Sequence, residues 1–85
     1  MASYSVLIKP SAAKELETVP KKDRLRIVRK IQTLARDPRP IGSEKLAGRK
    51  QYRLRQGRFR IPYSISEGEQ VVLIVKIAHR KEAYR

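Results

Sequence analysis

The sequence contains no cysteine and no tryptophan, and only one histidine and one methionine. Without cysteine there is no disulfide, no thiolate zinc ligand and no thiol nucleophile. One histidine is too few for a His-rich metal site, so neither a metal nor a cofactor is expected. Acids are scarce: 8 Asp+Glu stand against 21 Lys+Arg, a formal net charge of +13. Long apolar runs are missing too. The longest, residues 71–75, is stopped by Lys76, far short of the ~20 residues that a membrane-spanning helix needs. The N-terminus lacks the basic-then-apolar pattern of a secretory signal. The expectation is a soluble, cytoplasmic protein with no membrane partner.

A length of 85 residues allows one domain, residues 1–85. A chain of this size buries about 60–65% of its unfolded surface and reaches a stability of about 5–10 kcal/mol at most. Hydrophobic residues make up 40% of the chain, enough for a core despite the charge. The bases are not confined to a tail. Residues 9–36 carry nine Lys/Arg against three acids, and residues 39–85 carry twelve against four. Charge of one sign costs self-repulsion unless something anionic binds, so the natural partners are polyanions such as RNA, DNA or a very acidic protein.

Residues 3–9 alternate, with Tyr4, Val6 and Ile8 on one side, and read as a strand ended by Pro10. Ser11 is placed to cap a short helix in which Ala12, Ala13, Leu16 and Val19 share a face. Pro20 separates this helix from a second one over residues 21–36. There Ile27, Val28, Ile31, Leu34 and Ala35 form an apolar stripe, and Lys22, Arg26, Arg29, Lys30 and Arg36 lie on the other face. Asp37, Pro38 and Pro40 end it, and the short connection makes the two helices a hairpin. Residues 38–51 read as a loop, with Gly42 and Gly48 as turn points and room for one helical turn around residues 43–46. From Tyr52 the period becomes two. Gln56 and Gly57 mark a tight turn. Pro62 cannot donate to a ladder, so its N side faces outward or a bulge sits there. Residues 67–69 turn again. Residues 71–78 are nearly all apolar, as in a central strand buried on both faces. The order is β-α-α-β-β-β, an α+β fold: a helix hairpin packed on one face of a twisted, mainly antiparallel four-stranded sheet.

If Tyr52, Leu54, Phe59, Ile61 and Tyr63 face the helices, then Arg53, Arg55, Arg58 and Arg60 project from the opposite face. Like charges paired across a ladder are destabilising, and protecting an edge strand needs one or two of them, not four. A bound anion accounts for them better. His79 and Arg80 follow the last strand, with Tyr84 five residues beyond His79. Histidine titrates near neutrality, while arginine stays protonated and can clamp a phosphate. No Ser/His/Asp set and no glycine-rich phosphate loop is present. The set fits RNA cleavage without a metal. A ribose 2′-OH attacks the adjacent phosphate, a base takes its proton, cations hold the dianionic transition state, and an acid protonates the leaving 5′ oxygen.

The stretch Tyr52-Arg53-Leu54-Arg55-Gln56-Gly57-Arg58-Phe59-Arg60-Ile61-Pro62-Tyr63 resembles the Y-R-x-R-x-G-x-Y-R-x-x-Y stretch of the RelE/ParE toxin superfamily. His79-Arg80-Lys81-Glu82-Ala83-Tyr84-Arg85 is similar to its closing H-R-x-x-x-Y-R. Leu46-Ala47-Gly48 matches its L-x-G. The resemblance implies a toxin of a toxin–antitoxin pair, with a helix hairpin on a twisted antiparallel sheet. RelE-type members cut mRNA in the ribosomal A site. They are neutralised by a cognate antitoxin, and operator DNA is met only through the antitoxin complex. By position the resemblance implies catalytic roles for Arg53, Arg55, Arg60, Arg80 and Tyr84, the tyrosine orienting or stacking on substrate. Lys50, Arg58 and Lys81 are expected to contact substrate. Well-studied ribosome-dependent members carry lysines where this chain has Arg53 and Arg55, and arginine cannot shift its pKa to act as base; His79 is the candidate base here. Two other readings remain open: a ParE-type toxin that poisons DNA gyrase by binding, and a non-catalytic RNA-binding module. The closing His79, Arg80 and Tyr84 set favours the nuclease.

Overall fold

The computed structural model describes residues 3–41, 43–45 and 51–79. Eight elements follow in order: β1 (Ser5–Ile8), α1 (Pro10–Glu17), α2 (Lys21–Thr33), β2 (Glu44–Lys45), β3 (Gln51–Gln56), β4 (Phe59–Ser66), β5 (Val71–Ile74) and β6 (Ala78–His79). The strands form one sheet in the order β1-β5-β4-β3-β2, with β6 also paired to β4. The expected helix hairpin and α+β architecture are both present. The sheet has six strands rather than four, the additions being the two-residue β2 and β6. The neighbour of β1, open in the sequence, is β5, and this pairing is parallel; the remaining pairings are antiparallel.

Pro10 does not merely end the first strand. It is the first residue of α1, and Lys9 stands at the N-cap without a side-chain bond, in place of the expected Ser11 cap. Proline suits this position because its φ is already helical and its missing N–H would have had no intrahelical partner. Both helices lay their apolar stripe on the sheet. Ala12, Val19, Ile27, Ile31 and Leu34 meet Leu54, Ile61, Tyr63, Val72 and Ile74 in one core. Leu25, off the stripe that starts at Ile27, is half exposed. β5 is central, but it is not buried on both faces: Val72 and Ile74 are buried while Val71 and Leu73 are half-buried.

The β3–β4 hairpin follows the period-two reading. Its register pairs Tyr52 with Tyr63, Leu54 with Ile61, Arg53 with Pro62 and Arg55 with Arg60. Gly57 opens the two-residue turn at φ 58°, the left-handed value that a type II′ turn requires at its first central position. The expected helical turn at residues 43–46 is absent where described. Glu44 and Lys45 instead extend the sheet beside Arg53 and Tyr52.

Pro62 marks a bulge. Tyr63 pairs with Ile74, but Arg60 pairs with Ala78. Two residues on β4, Ile61 and Pro62, therefore oppose three on the other strand, residues 75–77. The missing N–H of Pro62 is what makes the extra residue tolerable there, since the ladder had no donor to lose. The interrupted backbone finds other partners. Val75 N–H donates to the Pro62 carbonyl at 2.9 Å, Ile77 N–H donates to Glu15 Oε1 at 3.1 Å, and Lys76 Nζ donates to Glu15 Oε2 at 2.8 Å. One carboxylate on α1 thus pins the bulge.

Tyr63 is fully buried, and its hydroxyl donates to the Pro38 carbonyl at 2.6 Å, tying the end of the helix hairpin to the sheet. Burial pushes its phenol above the ordinary value. The folded state therefore holds this proton more tightly than the unfolded chain does. The linked stability is complete below about pH 10 and is lost as pH rises through the folded pKa. Tyr63→Phe keeps the packing and orphans the Pro38 carbonyl. It is expected to cost about 1–2 kcal/mol, read as a Tm lower by about 5–12 °C. An unchanged Tm would mean water replaces the hydroxyl.

Candidate functional site

Alternation along β3 and β4 decides which side chains can meet. Leu54, Ile61 and Tyr63 are fully buried on the helix side, so Arg53, Arg55 and Arg60 share the other face. Arg55 and Arg60 stand directly opposite one another. This gathers three of the expected residues. Their environments differ. Arg55 is exposed and Arg53 half-buried, but Arg60 is only 6% exposed. Arg60 sits in the middle of the sheet, with β3 on one side through Arg55 and β6 on the other through Ala78, whereas Arg53 and Arg55 lie toward the sheet edge. A guanidinium tolerates such a site better than an ammonium because it is more weakly hydrated. A fixed charge in a partly dry site also acts more strongly on whatever anion approaches.

Glu44 enters the same face opposite Arg53. Arg53 Nη2 donates to Glu44 Oε2 at 2.8 Å. The carboxyl is held below its ordinary value, first by this hydrogen bond, then by the Arg53 charge, and further by Arg55 and Arg60. Of the three arginines, Arg53 makes the direct contact. The sequence reading did not single out Glu44. The available signal was that it is the only acid between Asp37 and Glu67, in the most arginine-rich part of the chain. A concave pocket of about 280 Å³ lies beside it, lined by Lys30, Ile41, Glu44, Arg53, Leu54 and Arg55. Lys30 thus lines this pocket at the sheet edge from α2, and the sequence had placed it only on a solvated helix face.

His79 does not join them. The register pairs it with Phe59, while Arg60 pairs with Ala78. The imidazole packs edge-on against the Phe59 ring, with centroids 5.5 Å apart and an interplanar angle of 84°. An unbroken strand running on from the Tyr63–Ile74 pair would set His79 opposite Arg58, on the arginine side. The extra residue at the Pro62 bulge reverses the faces of everything after it. Arg58 lies in the β3–β4 turn and is exposed. Lys50, Arg80, Lys81 and Tyr84 lie outside the described residues, as do Gly42 and the Leu46-Ala47-Gly48 motif.

A second basic group sits on the helix side, beyond the end of α2. Arg39 Nε donates to the Tyr52 hydroxyl at 2.9 Å, its guanidinium lies 5.1 Å from the centre of the Tyr52 ring, and it is ion-paired to Glu67. The neighbouring cavity of about 540 Å³ is lined by Arg39, Lys45, Tyr52, Ile65, Ser66, Glu67 and Gly68. It is roomier than the pocket beside Glu44, but its arginine is already committed to Glu67 and Tyr52. The arginine face is the better anion site.

The chain matches the ParE toxin family of the type II toxin–antitoxin system parDE over residues 6–84. It is 29% identical over 86 residues to a Methanocaldococcus jannaschii protein assigned as a candidate RelE1 toxin, covering 96% of each chain. Among solved structures, the archaeal RelE–RelB complex from Pyrococcus horikoshii superposes with a TM-score of 0.84 at 30% identity, covering 92% of this chain and 96% of the other. The isolated Escherichia coli RelE toxin superposes with a TM-score of 0.80 at 19% identity, covering 96% and 92%, a likeness of fold. The chain therefore belongs to the RelE/ParE toxin superfamily, as the toxin of a type II toxin–antitoxin system.

Proposed function

We propose that this toxin is a RelE-type endoribonuclease that cuts mRNA in the ribosomal A site and so stops translation in the cytoplasm. The observation that carries the reading is the gathering of Arg53, Arg55 and Arg60 on one face of the β3–β4 hairpin, with Arg55 directly opposite Arg60. In the reaction the ribose 2′ oxygen forms a bond to the adjacent phosphorus, and the bond from phosphorus to the 5′ oxygen breaks. The 2′ proton goes to a base and the leaving oxygen takes a proton from an acid, giving a 2′,3′-cyclic phosphate and a 5′-OH. The extra negative charge of the transition state lies on the non-bridging oxygens, which is where forked guanidiniums act best. His79 is the candidate for proton transfer. A cognate antitoxin of RelB type, as in the Pyrococcus complex, is the proposed protein partner, and operator DNA is met through that complex.

The matched family bears the name of ParE, and this favours one second reading, a toxin that inhibits DNA gyrase by binding. Fold alone does not separate the two, because one fold hosts both activities. The deciding experiment incubates the toxin with programmed ribosomes carrying an open A site, with free mRNA, and with gyrase in a supercoiling assay. Cleavage confined to the ribosome sample supports the nuclease. Intact mRNA with supercoiling inhibited would replace it with the gyrase reading.

A further inference from the structure

The pocket between α2 and the outer edge of β3 has features that folding does not require. β2 pairs only with Tyr52 and Arg53, so among the described residues the outer edge of β3 past Arg53 has no strand beside it. Lys30, Arg53 and Arg55 converge there, with the apolar Ile41 and Leu54 and the single acid Glu44. Ile41 is fully exposed. One exposed isoleucine is ordinary. Beside three cations it makes a surface with two chemistries, charge for a phosphate and an apolar patch for a sugar or base.

We propose that this pocket binds a phosphodiester of single-stranded RNA next to the one that is cut, and that Glu44 is its occupant in the free protein. The inference rests on the ribonuclease reading and carries its anion-binding surface around the β3 edge toward α2. Carboxylate and phosphate present the same paired oxygens to an arginine fork, so Glu44 stands where a phosphate oxygen would sit on Arg53. Its hold is weak. The Glu44 side chain is 60% exposed, and an exposed ion pair shifts an equilibrium by about fivefold at most. A polyanion making bidentate, charge-assisted contacts to several cations displaces it. A small anion, with one contact to gain, does so less readily. Glu44 thereby sets a threshold that favours a continuous polyanion over isolated phosphate.

The test measures binding of a fluorescent hexaribonucleotide carrying 2′-O-methyl groups, which cannot be cut, to the wild type, Glu44→Gln and Lys30→Ala. Glu44→Gln is expected to bind about two- to fivefold tighter at low salt, because the internal competitor is gone. Lys30→Ala is expected to bind more weakly, with a salt slope shallower by about 0.7 for the lost phosphate contact. Glu44→Gln binding no tighter than the wild type, or Lys30→Ala binding as tightly, overturns the pocket proposal while hexamer binding by the wild type leaves the ribonuclease reading standing. A second arm follows the Glu44 carboxyl by NMR as inorganic pyrophosphate is added. Its titration should move up toward the ordinary value as Arg53 is taken from it, and no movement counts against the pocket. If pyrophosphate moves Glu44 but the wild type ignores the hexamer, the RNA assignment of the pocket falls, and the ribonuclease reading is decided separately by the ribosome assay.

Discussion

Replacing Arg53 and Arg55 together by alanine is expected to lower mRNA cleavage on programmed ribosomes by about 10³- to 10⁴-fold with little change in Tm. Removing one preorganised group that stabilises developing charge costs about 10²–10³ in rate, and groups acting on one phosphate are less than additive. Stability should hold because neither side chain belongs to the core. Arg55 is exposed and faces the like charge of Arg60, so its removal relieves a repulsion. The matching lysine pair keeps both charges and loses the fork, so it should recover only part of the activity. Cleavage at the wild-type rate in the alanine protein would remove the arginine face from the reaction. The same protein tested against gyrase separates a lost catalyst from a lost binding surface.

The arginine face was legible in the sequence because it depends on one strong local signal. Arg53 and Arg55 alternate with Tyr52 and Leu54 at period two, and Gly57 fixes the turn that brings β4 back. Side-chain facing follows from that alone. The helix pair was legible for a similar reason, since Ile27, Ile31 and Leu34 recur at helical spacing and all three are buried. What the sequence concealed lies between strands. A period-two reading counts residues along one strand and cannot see an insertion in its partner. Pro62 announced either a bulge or an outward N side, but not that the bulge would turn His79 toward Phe59. The central place of Arg60 was hidden in the same way, because the sequence does not show that β6 pairs on its other side. Glu44 was hidden because a two-residue strand carries no periodicity, and its meaning comes only from its cross-strand neighbour. Pro10 was misplaced by a single boundary: the residue that ends a strand and the residue that opens a helix are the same one.

Ile61→Ala is expected to cost about 3–4 kcal/mol, the range for deleting most of a fully buried aliphatic side chain. Ile61 is fully buried, faces the equally buried Leu54 across the hairpin, and belongs to the core cluster that includes Ile27, Ile31 and Leu34 from the helix hairpin. Against a total of about 5–10 kcal/mol for a domain this small, the loss is a large fraction. It should lower Tm by about 12–30 °C, since each kcal/mol moves a domain of this length by roughly 4–8 °C. Ile61→Val, which leaves a smaller cavity, should cost about 1 kcal/mol. Leu25→Ala, at a half-exposed position, should stay near 0.5 kcal/mol. Thermal and urea unfolding of the three variants gives the order directly, and a Leu25→Ala cost equal to that of Ile61→Ala would put the helices on the wrong face of the sheet. Ile61 also lies between Arg60 and Pro62, so its variant probes how core and site are joined. Below its lowered Tm, Ile61→Ala should keep cleavage per folded molecule within about tenfold of wild type, because a cavity on the helix side leaves Arg53 and Arg55 untouched. The arginine double variant should do the reverse, keeping Tm and losing the reaction. That opposition is the outcome expected if one face of this hairpin holds the fold together and the other holds the phosphate.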